Sequence, residues 1–149
     1  MIRAAADRVK PHLACYNAAT FDQEIAVGKP GNTGFRRVIR ATRYSSQGLA
    51  HAWKHEAAFR QEVTATIIML PLAIWLGRTP TEQFLLAAGC FFVLVVELLN
   101  SAIEAVVDRI GTETHELAGR AKDMGSAAVF LSLLMVGAYW GLVAWQRFS

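Results

Sequence analysis

The chain has 149 residues, a length typical of one domain, and a formal net charge of +3. Hydrophobic residues make up 54% of the sequence and charged residues only 18%, whereas an ordinary soluble domain has about 25% charged residues. Because the apolar residues are clustered in long runs, the composition argues against a soluble domain and favours a polytopic membrane protein.

The first 33 residues contain no apolar run of signal-peptide length, and Pro30 and Gly31 would interrupt a helix there. They also contain no motif that points to a function. We therefore predict a mobile N-terminal extension at residues 1–33 and a membrane domain at residues 34–149.

Residues 35–62 predict an amphipathic surface helix. In "FRRVIRATR" the arginines fall on one side, and the opposite side holds Phe35, Val38, Ile39 and Thr42. The stretch "SSQG" at 45–48 predicts an interruption, after which Leu49, Trp53 and Ala57 recur at one-turn spacing. A helix on a soluble core would show the same pattern, but the neighbouring apolar segments favour a helix that lies in the membrane interface.

Three further segments, residues 63–77, 84–107 and 125–145, are apolar enough to predict membrane-spanning helices. The first is short, since a crossing needs about 20 residues, and it contains Pro71, which transmembrane helices tolerate. The predicted fold is therefore an all-α membrane protein with three transmembrane helices and an N-terminal amphipathic surface helix.

Basic residues are concentrated on one side of the predicted membrane. Those that precede the first span or separate the second from the third are Arg36, Arg37, Arg40, Arg43, Lys54, Arg60, Arg109, Arg120 and Lys122. The 78–83 turn contains only Arg78, and the C-terminal residues contain only Arg147. Under the positive-inside rule, the surface helix and the 108–124 loop face the cytoplasm. This distribution explains the basic charge without nucleic acid, for which no binding motif is visible.

The second span carries a polar wall, which we define as Glu97, Asn100, Ser101, Glu104 and Asp108. At about 100° per residue these side chains fall within roughly 60° of one direction. Carboxylates at membrane depth are costly, so the wall must face protein or water rather than lipid. Glu97 lies about 10 Å deeper than Glu104, given a rise of about 1.5 Å per residue.

From the residues alone, three roles for the polar wall stay open: structural contacts between helices, an ion or drug pathway, and catalysis. Lys122, Asp123 and Glu56 are predicted at the same surface, where a cation binds phosphate and two carboxylates with phosphate oxygens suit Mg²⁺. The sequence has no G-x-x-x-x-G-K-[ST] loop and no soluble-kinase motif set.

Four stretches carry a specific resemblance: "NTGFRRVIRATRYS", "EAAFRQE", "VVELLNSAIEAVVDRI" and "HELAGRAKDMGSAAV". Together they resemble the prokaryotic integral-membrane diacylglycerol kinase family. The resemblance implies a homotrimer of three-span subunits in the bacterial inner membrane, with active sites that are shared between neighbouring subunits at the cytoplasmic face. The implied reaction transfers the γ-phosphate of MgATP to the hydroxyl of diacylglycerol and gives phosphatidic acid.

The resemblance also implies roles for individual residues. Glu97 resembles the catalytic base that takes the proton of the lipid hydroxyl, and Glu56 and Glu104 resemble the carboxylates linked to Mg²⁺. The positions that resemble ATP-binding residues are Arg37, Tyr44, Asn100, Glu113, Thr114, His115, Lys122 and Asp123. Those that resemble the lipid-substrate side are Ser45, Arg60, Glu62 and Ser126.

Two alternatives remain beside diacylglycerol kinase. A related subfamily phosphorylates undecaprenol, but this chain resembles it less in "EAAFRQE", so diacylglycerol is the expected acceptor. A small transporter that uses Glu97 as a proton site would need no ATP. The chain departs from the best-known family members at Ser46 and Thr114, where they carry aromatic residues, and at Arg43, where they carry a small one.

Overall fold

The computed structural model describes residues 34–110 and 115–149, and all regular structure within them is α-helical. The four helices are α1 (Phe35–His55), α2 (Ala57–Leu76), α3 (Pro80–Ile110) and α4 (Glu116–Phe148). The described residues fall into two units that divide within α1, between Arg43 and Tyr44. The predicted extension at 1–33 lies outside the described residues, and the domain boundary after it stays a prediction.

Helix α1 differs from the predicted surface helix in two ways. It is continuous through "SSQG", so the predicted interruption at 45–48 is wrong. It also ends at His55 rather than at residue 62, because Glu56 adopts an extended conformation with φ −100° and ψ 115°. Serine and glycine lower helix propensity only modestly, so an amphipathic helix can continue through them. Residues 57–62 therefore begin α2 instead of ending the surface helix.

Helices α2, α3 and α4 are each long and apolar enough to cross a membrane, and their most apolar 18-residue windows have mean hydropathies of 1.3, 2.1 and 2.0. This confirms the three predicted spans as helices of sufficient length and composition. Helix α2 has 20 residues, so the first span is not short, and it passes through Pro71 without ending. Helices α3 and α4 extend beyond the predicted apolar limits at both ends, since a helix need not end where its side chains become polar.

Helix α3 packs against both α2 and α4, whereas α2 and α4 make little contact with each other. Near one end of these helices, a small apolar core joins all three, and it consists of Ala73, Leu76, Leu86 and Val143. Most other large apolar side chains on the three helices are exposed. Within the residues described, the central helix α3 is therefore the element around which side chains from α2 and α4 meet.

Side-chain hydrogen bonds hold the 77–83 turn, by which we mean the connection between α2 and α3 together with the first four residues of α3. Gln83 Nε2 donates to the carbonyl oxygens of Ile74 at 3.1 Å and Gly77 at 3.0 Å, at the C-terminus of α2. Glu82 Oε2 accepts from the backbone N–H of Arg78 at 2.7 Å, and the backbone N–H of Glu82 donates to Thr79 Oγ1 at 3.2 Å. The two bonds made by Glu82 are similar to those of a capping box at the start of α3.

Candidate active site

The polar wall becomes more exposed from one end to the other. Glu97 and Asn100 are buried, with 4% and 8% of their surfaces exposed. Glu104 lies one turn beyond Asn100 and two turns beyond Glu97 on α3. It is half-buried, and Asp108, one turn further, is exposed. Because i, i+3 and i+4 positions lie on one face of a helix, α3 presents a continuous polar surface that runs from the packed interior to its C-terminal end.

Carboxylates from α3 itself, from α2 and from the break between α1 and α2 interact with Glu97. The Glu97 carboxylate interacts electrostatically with those of Glu104 and Glu56, and the Glu62 carboxylate of α2 interacts with that of Glu97. Glu56 occupies the break between α1 and α2, and its side chain makes no capping hydrogen bond. Four like charges near one another repel, which is unfavourable unless a cation or a proton compensates them. The arrangement therefore suits a site that binds a cation or holds a proton.

Two buried polar atoms of this cluster have no hydrogen-bond partner: Glu62 Oε2 and Asn100 Oδ1. The nitrogen of the Asn100 amide does have a partner, since Nδ2 donates to Glu104 Oε1 at 3.1 Å. Buried polar groups are normally paired, so unpaired ones often mark a place that a ligand, ion or water completes. Both atoms lie beside the carboxylates already described.

Lys122 on α4 lies at the exposed end of the wall. Its Nζ contacts Asp108 Oδ1 at 2.5 Å, and it also interacts electrostatically with Glu104. The predicted phosphate-binding cation is thus placed beside a predicted metal-linked carboxylate. Asp108 was part of the predicted wall but not of the predicted site. Its spacing of four residues from Glu104 is the signal that could have added it.

Several predicted site residues lie apart from the carboxylates around Glu97, and two of them bond to the backbone at helix ends. Arg60 Nη1 donates to the carbonyl oxygens of Trp53 at 3.0 Å and Lys54 at 3.3 Å, so it satisfies the C-terminus of α1. His115 Nδ1 accepts from the backbone N–H of Leu117 at 3.2 Å and caps α4. Asp123 and Ser126 lie inside α4 and are exposed.

The remaining predicted residues lie on or near α1. Ser45 and Glu56 line a groove of about 760 Å³ whose other wall is α3, including Leu98 and Ala102. Tyr44 is exposed, as is Arg37 in the part of α1 that precedes the division between units. The predicted ATP-binding residues Glu113 and Thr114 lie outside the described residues.

The number of carboxylates at the site can be compared with the number of ligands that a metal ion needs. Within residues 34–110 and 115–149, no three His, Cys, Asp or Glu side chains are grouped closely enough to hold a metal ion. Mg²⁺ needs only one or two protein carboxylates, because it keeps waters and binds substrate phosphates. Glu56 and Glu104 each interact electrostatically with Glu97. By number alone, two carboxylates suffice for a magnesium–nucleotide complex and are too few for a structural metal ion.

Three apolar helices of membrane-crossing length, with a carboxylate cluster between them, define a multi-pass membrane protein. The model of the family described as prokaryotic diacylglycerol kinase matches residues 43–144. This chain belongs to that family.

Individual relatives agree with the family match. The diacylglycerol kinase of Escherichia coli strain K12 is 51% identical over 117 residues, which are 78% of this chain and 96% of that protein. The Haemophilus influenzae diacylglycerol kinase is 53% identical over 109 residues, 73% of this chain and 92% of that protein. The Pseudomonas aeruginosa diacylglycerol kinase is 46% identical over 113 residues, 76% of this chain and 92% of that protein.

Proposed function

We propose that this chain is an ATP-dependent diacylglycerol kinase, which transfers the γ-phosphate of ATP to the hydroxyl of diacylglycerol and forms phosphatidic acid and ADP. The family match supports the reaction class. The observation that carries the site is the buried Glu97 carboxylate, which lies in the interior of the membrane helix α3 and interacts with Glu56, Glu62 and Glu104. Burying a carboxylate at membrane depth costs free energy, and such carboxylates commonly have a function.

In the proposed reaction, Glu97 accepts the proton of the lipid hydroxyl as the hydroxyl oxygen attacks the γ-phosphorus. A new O–P bond forms, the bond between the γ-phosphorus and the bridging oxygen breaks, and ADP leaves with that electron pair. The proton on Glu97 is then released to water. Phosphoryl transfer depends mainly on positioning and charge neutralisation, so the residues around Glu97 need only orient the two substrates.

Glu56 and Glu104 would hold Mg²⁺, which neutralises phosphate charge when it is bound with ATP. Lys122, beside Glu104, would add a cation for the phosphates once they compete with Asp108 for it. The unpaired Glu62 oxygen provides an acceptor for a substrate hydroxyl group or bound water. Mg²⁺ and Lys122 would thus offset the negative charge of both the carboxylates and the phosphates.

The position of the cluster along α3 suits two substrates from different phases. Lys122 and Asp108 are reachable from water, whereas Glu97 lies about 16 Å from Asp108 along α3. We propose that ATP enters at the exposed end, on the cytoplasmic side of the bacterial inner membrane, where Arg109 and Arg120 also lie. Diacylglycerol would meet Glu97 from within the bilayer.

We also propose that the chain assembles as a homotrimer with shared active sites. The spanning helices leave large apolar side chains exposed, such as Ile67, Phe92 and Phe130, which neighbouring subunits or lipid acyl chains would cover. Native mass spectrometry of the protein in detergent should report three copies. A monomer that retains full activity would contradict the trimer.

The reaction is tested with the full chain in mixed micelles, labelled ATP and Mg²⁺, with diacylglycerol and undecaprenol offered in parallel. We expect label in diacylglycerol, as phosphatidic acid. Label mainly in undecaprenol would move the chain to the related subfamily. Label in neither lipid would reject the kinase, and proton-coupled flux in liposomes without ATP would then favour the transporter.

A further inference from the structure

Gly125 of α4 lies directly against Asn100 of α3. Gly125 is buried, and a Cβ added to it would overlap Asn100 Oδ1 and lie 3.2 Å from Asn100 Cγ. The third-nearest atom is Asn100 Cβ at 3.8 Å, an ordinary contact. The hydrogen that a Cβ would replace therefore points at the Asn100 carbonyl oxygen, and a side chain at residue 125 would force the Asn100 amide to move.

The Asn100 amide has its orientation fixed from both sides. Glu104 carries only acceptors when ionised, so the amide must present Nδ2 to it, as the 3.1 Å hydrogen bond shows. The carbonyl oxygen then has to face Gly125, where it has no conventional hydrogen-bond partner. The weak Cα–H···O contact that this geometry allows is compatible with a carbonyl at that position.

Other glycines of α4 differ from Gly125. An added Cβ at Gly137 or Gly141 would meet no atom within 4 Å. Gly137 is exposed, whereas Gly125 is buried against the polar wall. Among these three glycines of α4, only Gly125 therefore lies where a side chain would collide with another helix.

We infer that Gly125 is a positioning residue of the active site: it leaves the space in which Asn100 holds the Glu104 carboxylate in place. The inference rests on the proposed function, in which Glu104 is one of the two carboxylates that receive Mg²⁺. A side chain at 125 would displace the Asn100 amide and break its hydrogen bond to Glu104. Residues that orient metal ligands typically change metal affinity about 10- to 100-fold when they are replaced.

The test compares Gly125→Ala with Gly137→Ala in the full chain. Gly125→Ala should raise the Mg²⁺ concentration for half-maximal turnover about tenfold, with little change in the apparent KM for diacylglycerol. Calorimetric binding of Mg²⁺ in the presence of a non-hydrolysable ATP analogue should weaken by a similar factor. Gly137→Ala should change neither value. A purely structural role would reduce the amount of active protein without moving the Mg²⁺ midpoint, and that result would overturn the inference.

The Asn100→Ala variant is used to test whether the effects of Gly125→Ala arise from its collision with Asn100. Alanine favours helix over glycine, so Gly137→Ala should keep or raise the unfolding temperature, whereas Gly125→Ala should lower it. In Asn100→Ala protein the colliding Oδ1 and Cγ atoms are gone, so adding Gly125→Ala should no longer lower the unfolding temperature or weaken Mg²⁺ binding. If Gly125→Ala alone does not fold, a folded double variant supports the collision with Asn100. A double variant that fails to fold although Asn100→Ala folds contradicts it.

The two hypotheses fail in different ways. If the wild-type protein transfers no phosphate to diacylglycerol, the proposed function fails, while the unfolding temperatures still decide the contact between Gly125 and Asn100. If the wild-type protein is an active kinase and Gly125→Ala keeps a normal Mg²⁺ midpoint, the positioning role fails and the proposed function stands.

Discussion

The two ends of α3 treat their polar groups in opposite ways. At the 77–83 turn, the side chains of Gln83 and Glu82 are paired with backbone groups that the helix ends leave open. At the polar wall, buried oxygens of Glu62 and Asn100 have no partner, and like charges converge on Glu97. One end is arranged for stability alone. The other keeps unfavourable features that a substrate complex would relieve, as functional sites commonly do.

One unpaired atom lies away from the wall. Trp140 Nε1 is buried without a hydrogen-bond partner, beside Cys90 Sγ. Sulfur is a weak acceptor, and Trp140 packs against the small apolar core. This single donor lacks the neighbouring charges of the wall, so unpaired atoms and clustered carboxylates together, rather than unpaired atoms alone, distinguish the candidate site.

The largest expected effect comes from Glu97→Gln. The amide keeps the shape of the side chain but cannot accept the lipid proton as a carboxylate does, so turnover should fall about 10²- to 10⁴-fold. Because one of several repelling charges is removed, the unfolding temperature should stay the same or rise. Phosphatidic acid formation and thermal unfolding are measured on the same sample. Glu82→Gln, which removes a carboxylate from the 77–83 turn, is the matched control and should retain turnover. Equal activity of Glu97→Gln and wild type would remove Glu97 from the chemistry.

Glu104→Gln and Glu56→Gln should each shift the dependence on Mg²⁺. Removing one of two carboxylate ligands should raise the Mg²⁺ concentration for half-maximal turnover at least about tenfold. Titration of Mg²⁺ at fixed ATP measures this midpoint, and Glu116→Gln, on the exposed first turn of α4, serves as the control. A loss of turnover at all Mg²⁺ concentrations with an unchanged midpoint would assign these carboxylates a role other than metal binding.

Most of the fold was predictable because a bilayer demands long apolar helices, and hydropathy reports them directly. The helix limits were not, because hydropathy marks the apolar part of a helix and not its ends. Helix α3 begins at Pro80, four residues before the predicted span. The interruption predicted at "SSQG" is wrong for a different reason: the stretch contains typical turn residues, yet the amphipathic pattern on both sides of it sustains one helix.

The site was predictable only within one helix. Periodicity placed Glu97, Asn100 and Glu104 on one face of α3, since that face follows from 3.6 residues per turn. Contacts between helices depend on how far one helix is shifted along the other, which a single sequence does not encode in its periodicity. The approach of Gly125 to Asn100 and the pair of Lys122 with Asp108 therefore appear only in the structure.

At the 77–83 turn, Gln83→Ala should affect stability and not catalysis. It removes two hydrogen bonds from carbonyl oxygens at the C-terminus of α2, a loss of about 1 kcal/mol in the free energy of unfolding. Turnover per folded molecule should equal that of the wild type. Unfolding in detergent measures the change in stability, and activity normalised to the amount of folded protein measures the turnover. A variant with normal stability and reduced turnover would mean that the turn acts on the active site.

The smallest expected change in stability comes from Asp108→Asn. The pair of Asp108 with Lys122 is exposed, and ion pairs in contact with water contribute little to stability because solvent and salt screen them. The unfolding temperature should therefore be indistinguishable from that of the wild type. If Asp108 only occupies Lys122 until phosphate arrives, Asp108→Asn should lower the KM for ATP, whereas Lys122→Met should raise it. A higher KM for ATP in Asp108→Asn would instead mean that Asp108 holds Lys122 in the orientation that binds phosphate, and that the wall's function extends to its exposed end.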